Sequence, residues 1–94
     1  MIIRRTECFA KWFKKLDMYI RVRLLMHINK LENGNFSNAK SVGGGVHELK
    51  IDFQKGYRIY FANVNGEIII LLCGGDKSSQ QCDIAKAKEI KKNL

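Results

Sequence analysis

Val46 to Phe53 reads VHELKIDF, and its parity decides the architecture. His47, Leu49, Ile51 and Phe53 share one side of an extended chain and Glu48, Lys50 and Asp52 the other, which predicts a strand with one buried face. A turn at Gln54-Lys55-Gly56 leads into YRIYFANV, where Ile59 and Phe61 point one way and Arg58 and Tyr60 the other. Asn65-Gly66 then marks a tight hairpin, because a type I′ turn requires positive φ at both central positions. The next strand, Glu67 to Cys73, is apolar on both parities after its first residue and reads as central. These segments form a three-stranded antiparallel meander.

Upstream, Ile2 to Arg5 reads as a short strand, and Thr6 stands where a helix N-cap belongs. Phe9, Trp12, Phe13 and Leu16 follow at helical spacing. Asp17 ends that helix and caps a second, whose apolar stripe is Ile20, Leu24, Ile28 and Leu31 and whose stop is Gly34. Asn33 to Gly45, rich in Asn, Ser and Gly, reads as a loop. After the meander, GGDKSSQ (residues 74–80) leads into a last helix carrying Ile84, Ala87, Ile90 and Leu94, with Ser78 and Gln81 matching a capping box. The expected fold is α+β in a single domain spanning 1–94. An antiparallel sheet is covered on one face by a helical hairpin, and a C-terminal helix follows.

Lys and Arg number 17 against 9 Asp and Glu, a net charge of +8. Such an excess on a small body attracts polyanions. Three cysteines without CxxC spacing, and two histidines far apart, argue against a disulfide framework and a zinc site. No apolar run approaches the roughly 20 residues of a membrane span, and MIIRRTE lacks a secretory signal's apolar stretch. A cytoplasmic protein without a membrane partner is expected. The chain also lacks a Walker phosphate loop, a nucleophile elbow and the paired histidines of zinc peptidases.

The sheet face opposite the helical hairpin should display Glu48, Lys50, Arg58 and Tyr60. Same-face neighbours on paired strands lie about 5–8 Å apart, so Lys50 and Arg58 can converge on one anion, with Lys77 joining from the end of the next strand. Arg supplies a two-pronged fork and Lys a mobile charge, which suits phosphate. Tyr60 can stack on a base or donate a hydrogen bond, and Glu48 can accept a proton. Tyr57 is a second candidate RNA contact, with Arg21, Arg23 and Lys30 on the solvated side of the second helix. Lysines on half-exposed strands are commonly just solvated, and tyrosines are common in strands. The case rests on several positions agreeing.

LENGNF, GYRIYF and GGDKSSQ in this order, within a stretch from Phe9 to Ala87, resemble the small addiction-module killer proteins of the RelE/HigB type, in their phage-derived branch. The resemblance implies a RelE-like domain and the toxin of a type II toxin–antitoxin pair. It implies ribosome-dependent endoribonuclease cleavage of mRNA that halts translation, without metal or cofactor. It also implies ribosome, mRNA and a cognate helix-turn-helix antitoxin as partners. By position in the family's motifs, Arg58 would contact the scissile phosphate, Lys50 and Lys77 would support it, and Glu48 would be the nearest acid or base. Better-studied relatives bring a C-terminal tyrosine to this site. This chain has no aromatic after Phe61, and Asp83 is the substitute base. A ParE-like gyrase inhibitor and a non-catalytic nucleic-acid-binding module are the alternatives.

Overall fold

The computed structural model describes residues 1–94. The chain runs β1 (Ile2–Arg5), α1 (Glu7–Lys14), α2 (Met18–Glu32), β2 (Ala39–Gly43), β3 (Val46–Ile51), β4 (Tyr57–Val64), β5 (Ile68–Asp76), a 3-10 turn (Lys77–Ser79) and α3 (Gln80–Lys92). Local chemistry sets most of these boundaries. The Thr6 hydroxyl accepts from the Phe9 N–H at 3.1 Å to cap α1, and donates to the Leu72 carbonyl at 2.6 Å. One side chain thus starts a helix and ties it to the inner strand β5. Asp17 caps α2 by accepting from the Ile20 N–H at 3.0 Å. Asn65 and Gly66, at φ 56° and 70°, form the expected primed turn.

The α+β architecture is as expected, with two additions to the sheet. Its strand order is β1-β5-β4-β3-β2, so it has five strands. β1 pairs with β5 in parallel and the other pairings are antiparallel, so the sheet is mixed where an antiparallel one including the N-terminal strand was expected. β2 lies inside the segment expected to be loop. Its sequence AKSVG offers one branched apolar residue, so no alternation announces an edge strand there. The meander consequently has four strands. β5 also continues three residues past Cys73, through Gly74, Gly75 and Asp76.

Two cores sandwich the sheet. On one face Phe9 and Phe13 of α1 and Leu24, Ile28 and Leu31 of α2 pack on Leu49, Ile51, Tyr57, Ile59, Phe61, Ile69 and Leu71. Burying each large apolar side chain contributes about 1.5–3 kcal/mol, so this layer holds most of the fold. The other face, expected to be bare, is partly covered. There Ala87 of α3 packs on Val46, Tyr60, Ala62, Leu72 and Cys73, flanked by Ile84 and Ile90. A register shift between Tyr60 and Phe61 opposes Cys73 to Tyr60 and Leu71 to Phe61. The extra residue, Leu72, lets two consecutive side chains face α3.

The start of α3 corrects the expected capping box. The helix begins at Gln80, and Ser79 at its N-cap makes no side-chain capping bond. Asp76 caps the preceding 3-10 turn instead, accepting from the Ser78 N–H at 2.9 Å and from its hydroxyl. These bonds, the side-chain one foremost, hold the Asp76 carboxyl below its usual range.

Candidate functional site

The two glycines of GGDKSSQ answer to the two faces of the sheet. A β-carbon at Gly74 would overlap the Trp12 ring, which approaches the strand from the α1 side. One at Gly75 would overlap the Asp83 carboxylate, which approaches from α3. Successive strand residues face opposite ways, so two consecutive glycines are needed for two close approaches. The corner they create delivers Lys77 to a cleft.

That cleft, of ≈ 450 Å³, is bounded by Lys50, Lys55, Arg58 and Lys77, with Asp52, Phe53, Gln54 and Gly56 completing it. Strand register explains its central pair, because Lys50 and Arg58 sit directly opposite each other on β3 and β4. The turn between those strands folds back over them. Gln54 and Gly56 adopt positive φ, and Gly56 offers its carbonyl to Arg58 Nη1 at 3.4 Å. Lys50 lies 3.8 Å from Asp52, and Lys55 lies 3.8 Å from Asp76. Exposed pairs of this kind contribute about 0–1 kcal/mol, so an incoming phosphate displaces them at little cost. Lys77 is exposed and makes no ion pair.

Beneath the cleft lies a buried network around Glu48. Glu48 is 1% exposed and Arg58 6%. Glu48 Oε2 accepts from the Tyr60 hydroxyl at 3.0 Å and from Gln80 Nε2 at 2.8 Å, with Arg58 Nε 3.8 Å away. Its Oε1 faces Lys40 Nζ at 3.8 Å. A buried carboxylate is tolerated when donors and cations surround it, as here. Arg58 Nε itself is buried without a hydrogen-bond partner. The guanidinium is held between Glu48 and the Gly56 carbonyl, and Nη2, which makes no hydrogen bond within the protein, is the donor left for an anion.

A second cavity, of ≈ 380 Å³, adjoins the cleft and shares Lys50 and Asp52 with it. His27, Ser37, Asn38, Lys40 and Glu48 belong to its wall. The pKa of His27 is lowered by partial burial, then by the charges of Lys30 and Arg23 on its own helix. Lys40, Glu48 and Lys50 of the sheet, and Asp52 just past the end of β3, line the same cavity. With the folded pKa below the ordinary 6.5, the fold favours neutral His27, and the unfolded chain binds the extra proton first. Stability from this group is therefore complete above about pH 6.5 and declines as pH falls below it. His27→Gln is expected to flatten that part of a stability-against-pH curve, measured by denaturant unfolding between pH 5 and 8.

The structure brings Arg58, Lys50 and Lys77 to one cleft, but Glu48 and Arg58, expected on an open face, are buried because α3 packs on that side of the sheet, Glu48 lines the neighbouring cavity, and the other candidates are redistributed. Tyr60 is sealed under α3, so it cannot stack on a base. Burial first, then its bond to Glu48 and the charges of Glu48 and Asp83, push its hydroxyl above the ordinary tyrosine range. Tyr60 remains a donor that positions Glu48. Tyr57 lies in the α1/α2 core, 2% exposed, and is unavailable to RNA. Asp83 accepts from the Ser79 hydroxyl and opens onto a separate cleft with Lys11, Lys15 and Lys86. It stands within charge range of Tyr60 but outside the cation cleft.

Arg23 lies over the Phe53 ring at 4.5 Å, at the margin of the cleft. Lys30 is exposed near His27, and Arg21 is half-buried with an unpartnered Nε. Sequence reasoning missed Lys40, Lys55 and Gln80. Gln80 was visible in GGDKSSQ, but nothing in its spacing pointed to Glu48, 32 residues upstream.

A five-stranded sheet holding a helical hairpin on one face and a C-terminal helix on the other is the fold of the RelE toxins. Free E. coli RelE, in a variant with two arginines replaced by alanine, superposes with a TM-score of 0.72 at 18% identity, covering 95% of this chain and 96% of that one. RelE in the intact E. coli RelBE toxin–antitoxin complex gives 0.65 at 18% identity, over 80% of this chain and 94% of that one. Residues 11–94 match the family described as phage derived protein, Gp49-like. The chain belongs to this family. An uncharacterized protein of Haemophilus influenzae is 44% identical over 93 residues, covering 98% of this chain and 94% of that protein.

Proposed function

We propose that this protein is the toxin of a type II toxin–antitoxin pair and a ribosome-dependent mRNA endoribonuclease of the cytoplasm. The observation that carries this reading is the cleft that Arg58, Lys50 and Lys77 line together, beside a buried carboxylate paired with Arg58. In the reaction the ribose 2′-oxygen attacks the adjacent phosphorus while the bond from phosphorus to the 5′-oxygen breaks. The products are a 2′,3′-cyclic phosphate and a 5′-hydroxyl, the departing 5′-oxygen taking its proton from solvent. Arg58 and the two lysines balance the charge that accumulates on the phosphorane oxygens. Glu48 holds Arg58 in register, and its Oε1, engaged by no hydroxyl or amide, is the atom left to take the 2′ proton.

The net charge of +8 supports this setting, since both ribosome and mRNA are polyanions. It also favours an antitoxin that covers the cleft with an acidic segment, which we take to be a helix-turn-helix protein. Induction in growing cells should stop incorporation of labelled amino acids within minutes, and mapping of mRNA 5′ ends should show new cuts within translated codons. Relaxed plasmid DNA with intact mRNA would instead assign the protein to gyrase inhibition.

A further inference from the structure

We infer that the cavity beside the cation cleft is a nucleobase pocket, in which His27, Ser37 and Asn38 read the edge of the base next to the phosphate held by Arg58. This inference rests on the RNA reading of the cleft and goes beyond it, to a site that sets sequence preference. The two spaces share Lys50 and Asp52, so a strand whose phosphate occupies one delivers a neighbouring base to the other.

The chemistry of the wall suits a base edge. Ser37 and Asn38 are exposed, and no protein group hydrogen-bonds to the Ser37 hydroxyl or the Asn38 amide. His27 has its Nδ1 buried and unpartnered, which leaves the Nε2 edge for a ligand. An amide, a hydroxyl and a neutral imidazole supply both donors and acceptors, the combination that distinguishes bases by their edges. No Phe, Tyr or Trp lines the cavity, so discrimination here depends on hydrogen bonding rather than on stacking against those rings.

The wall is also rigid, which an exposed loop of Asn, Ser and Gly need not be. Phe36 stacks on Phe61 with centroids 6.3 Å apart. The Ser37 N–H donates to Asn35 Oδ1 at 3.0 Å, and the Asn38 carbonyl accepts from the Lys50 N–H at 3.1 Å. The last bond joins the reading residue to the phosphate-binding strand, so little ordering is left for the moment of binding.

Fluorescence anisotropy with four 2′-O-methyl homohexamers of A, C, G and U tests this, since these probes present bases and phosphates but no attacking hydroxyl. The wild type is expected to favour one base by about fivefold or more over the weakest. Ser37→Ala and Asn38→Ala, both at exposed positions, and His27→Ala should narrow that spread, whereas Lys77→Ala should weaken all four probes alike. Equal affinities in the wild type, no binding to any probe, or a spread that none of the three variants alters would overturn the pocket. The readout needs no cleavage, so a base preference in a protein that leaves mRNA intact would retain the pocket and reject the nuclease. Codon cutting without any base preference would do the reverse.

Discussion

Arg58→Ala is expected to lower mRNA cleavage on programmed ribosomes by about 10²–10³-fold, the usual cost of removing one preorganised charge-stabilising group. The same substitution should destabilise the fold. Arg58 is the buried cation beside Glu48, and deleting one partner of a buried pair commonly costs about 3–5 kcal/mol. Activity and stability must therefore be separated. Lys77 is exposed and unpaired, so Lys77→Ala should reduce the single-turnover cleavage rate while leaving the melting temperature within about a degree of wild type. If Lys77→Ala cuts as fast as wild type, and Arg58→Ala loses activity only in proportion to its unfolded fraction, the cleft has no part in the chemistry.

Gly74→Ala should be among the most damaging of small substitutions. The added methyl enters the space of the Trp12 ring, which is itself packed against Phe9 at a centroid distance of 5.7 Å. Overpacking of this kind costs about 1–3 kcal/mol. In a domain of this size each kcal/mol lowers the melting temperature by about 4–8 °C. Gly75→Ala meets a carboxylate at the end of a side chain, which can swing away, so its effect should be smaller. Circular dichroism melts of the two variants check both the magnitude and the order. A Gly74→Ala protein melting with wild type would contradict the packing described for the α1 side of β5.

The difference between these glycines illustrates what the sequence made legible. Features whose cause is local could be read directly: the caps at Thr6 and Asp17, the Asn65-Gly66 turn and the alternation of His47 to Ile51 survive in the structure, although the strand stops before Phe53 and Glu48 is buried on the face expected to be open. Features caused by distant partners could not. β2 has no apolar alternation because it is an edge, held by backbone bonds to β3 rather than by burial. The parallel pairing of β1 with β5 leaves no trace in four residues.

The site divides along the same line. Alternation exposed Lys50 and Arg58 as neighbours, and GGDKSSQ exposed Lys77. The burial of Glu48 depends on α3 arriving over β3 and β4, and this also withdraws Tyr60 from solvent. Lys40 was hidden with its strand. His27 reads as an isolated histidine until the fold places it in one cavity with Lys40 and Lys50.

The most direct measurement follows the side-chain Nε–H resonance of Arg58 by nitrogen-15 NMR as a 2′-O-methyl hexanucleotide is added. The resonance should shift saturably, together with the backbone amides of Lys50 and Lys77, and the shift should fade as salt is raised. Perturbations confined to Lys11, Lys15 and Lys86, with Arg58 unmoved at saturating oligonucleotide, would show that RNA is held elsewhere on this basic surface.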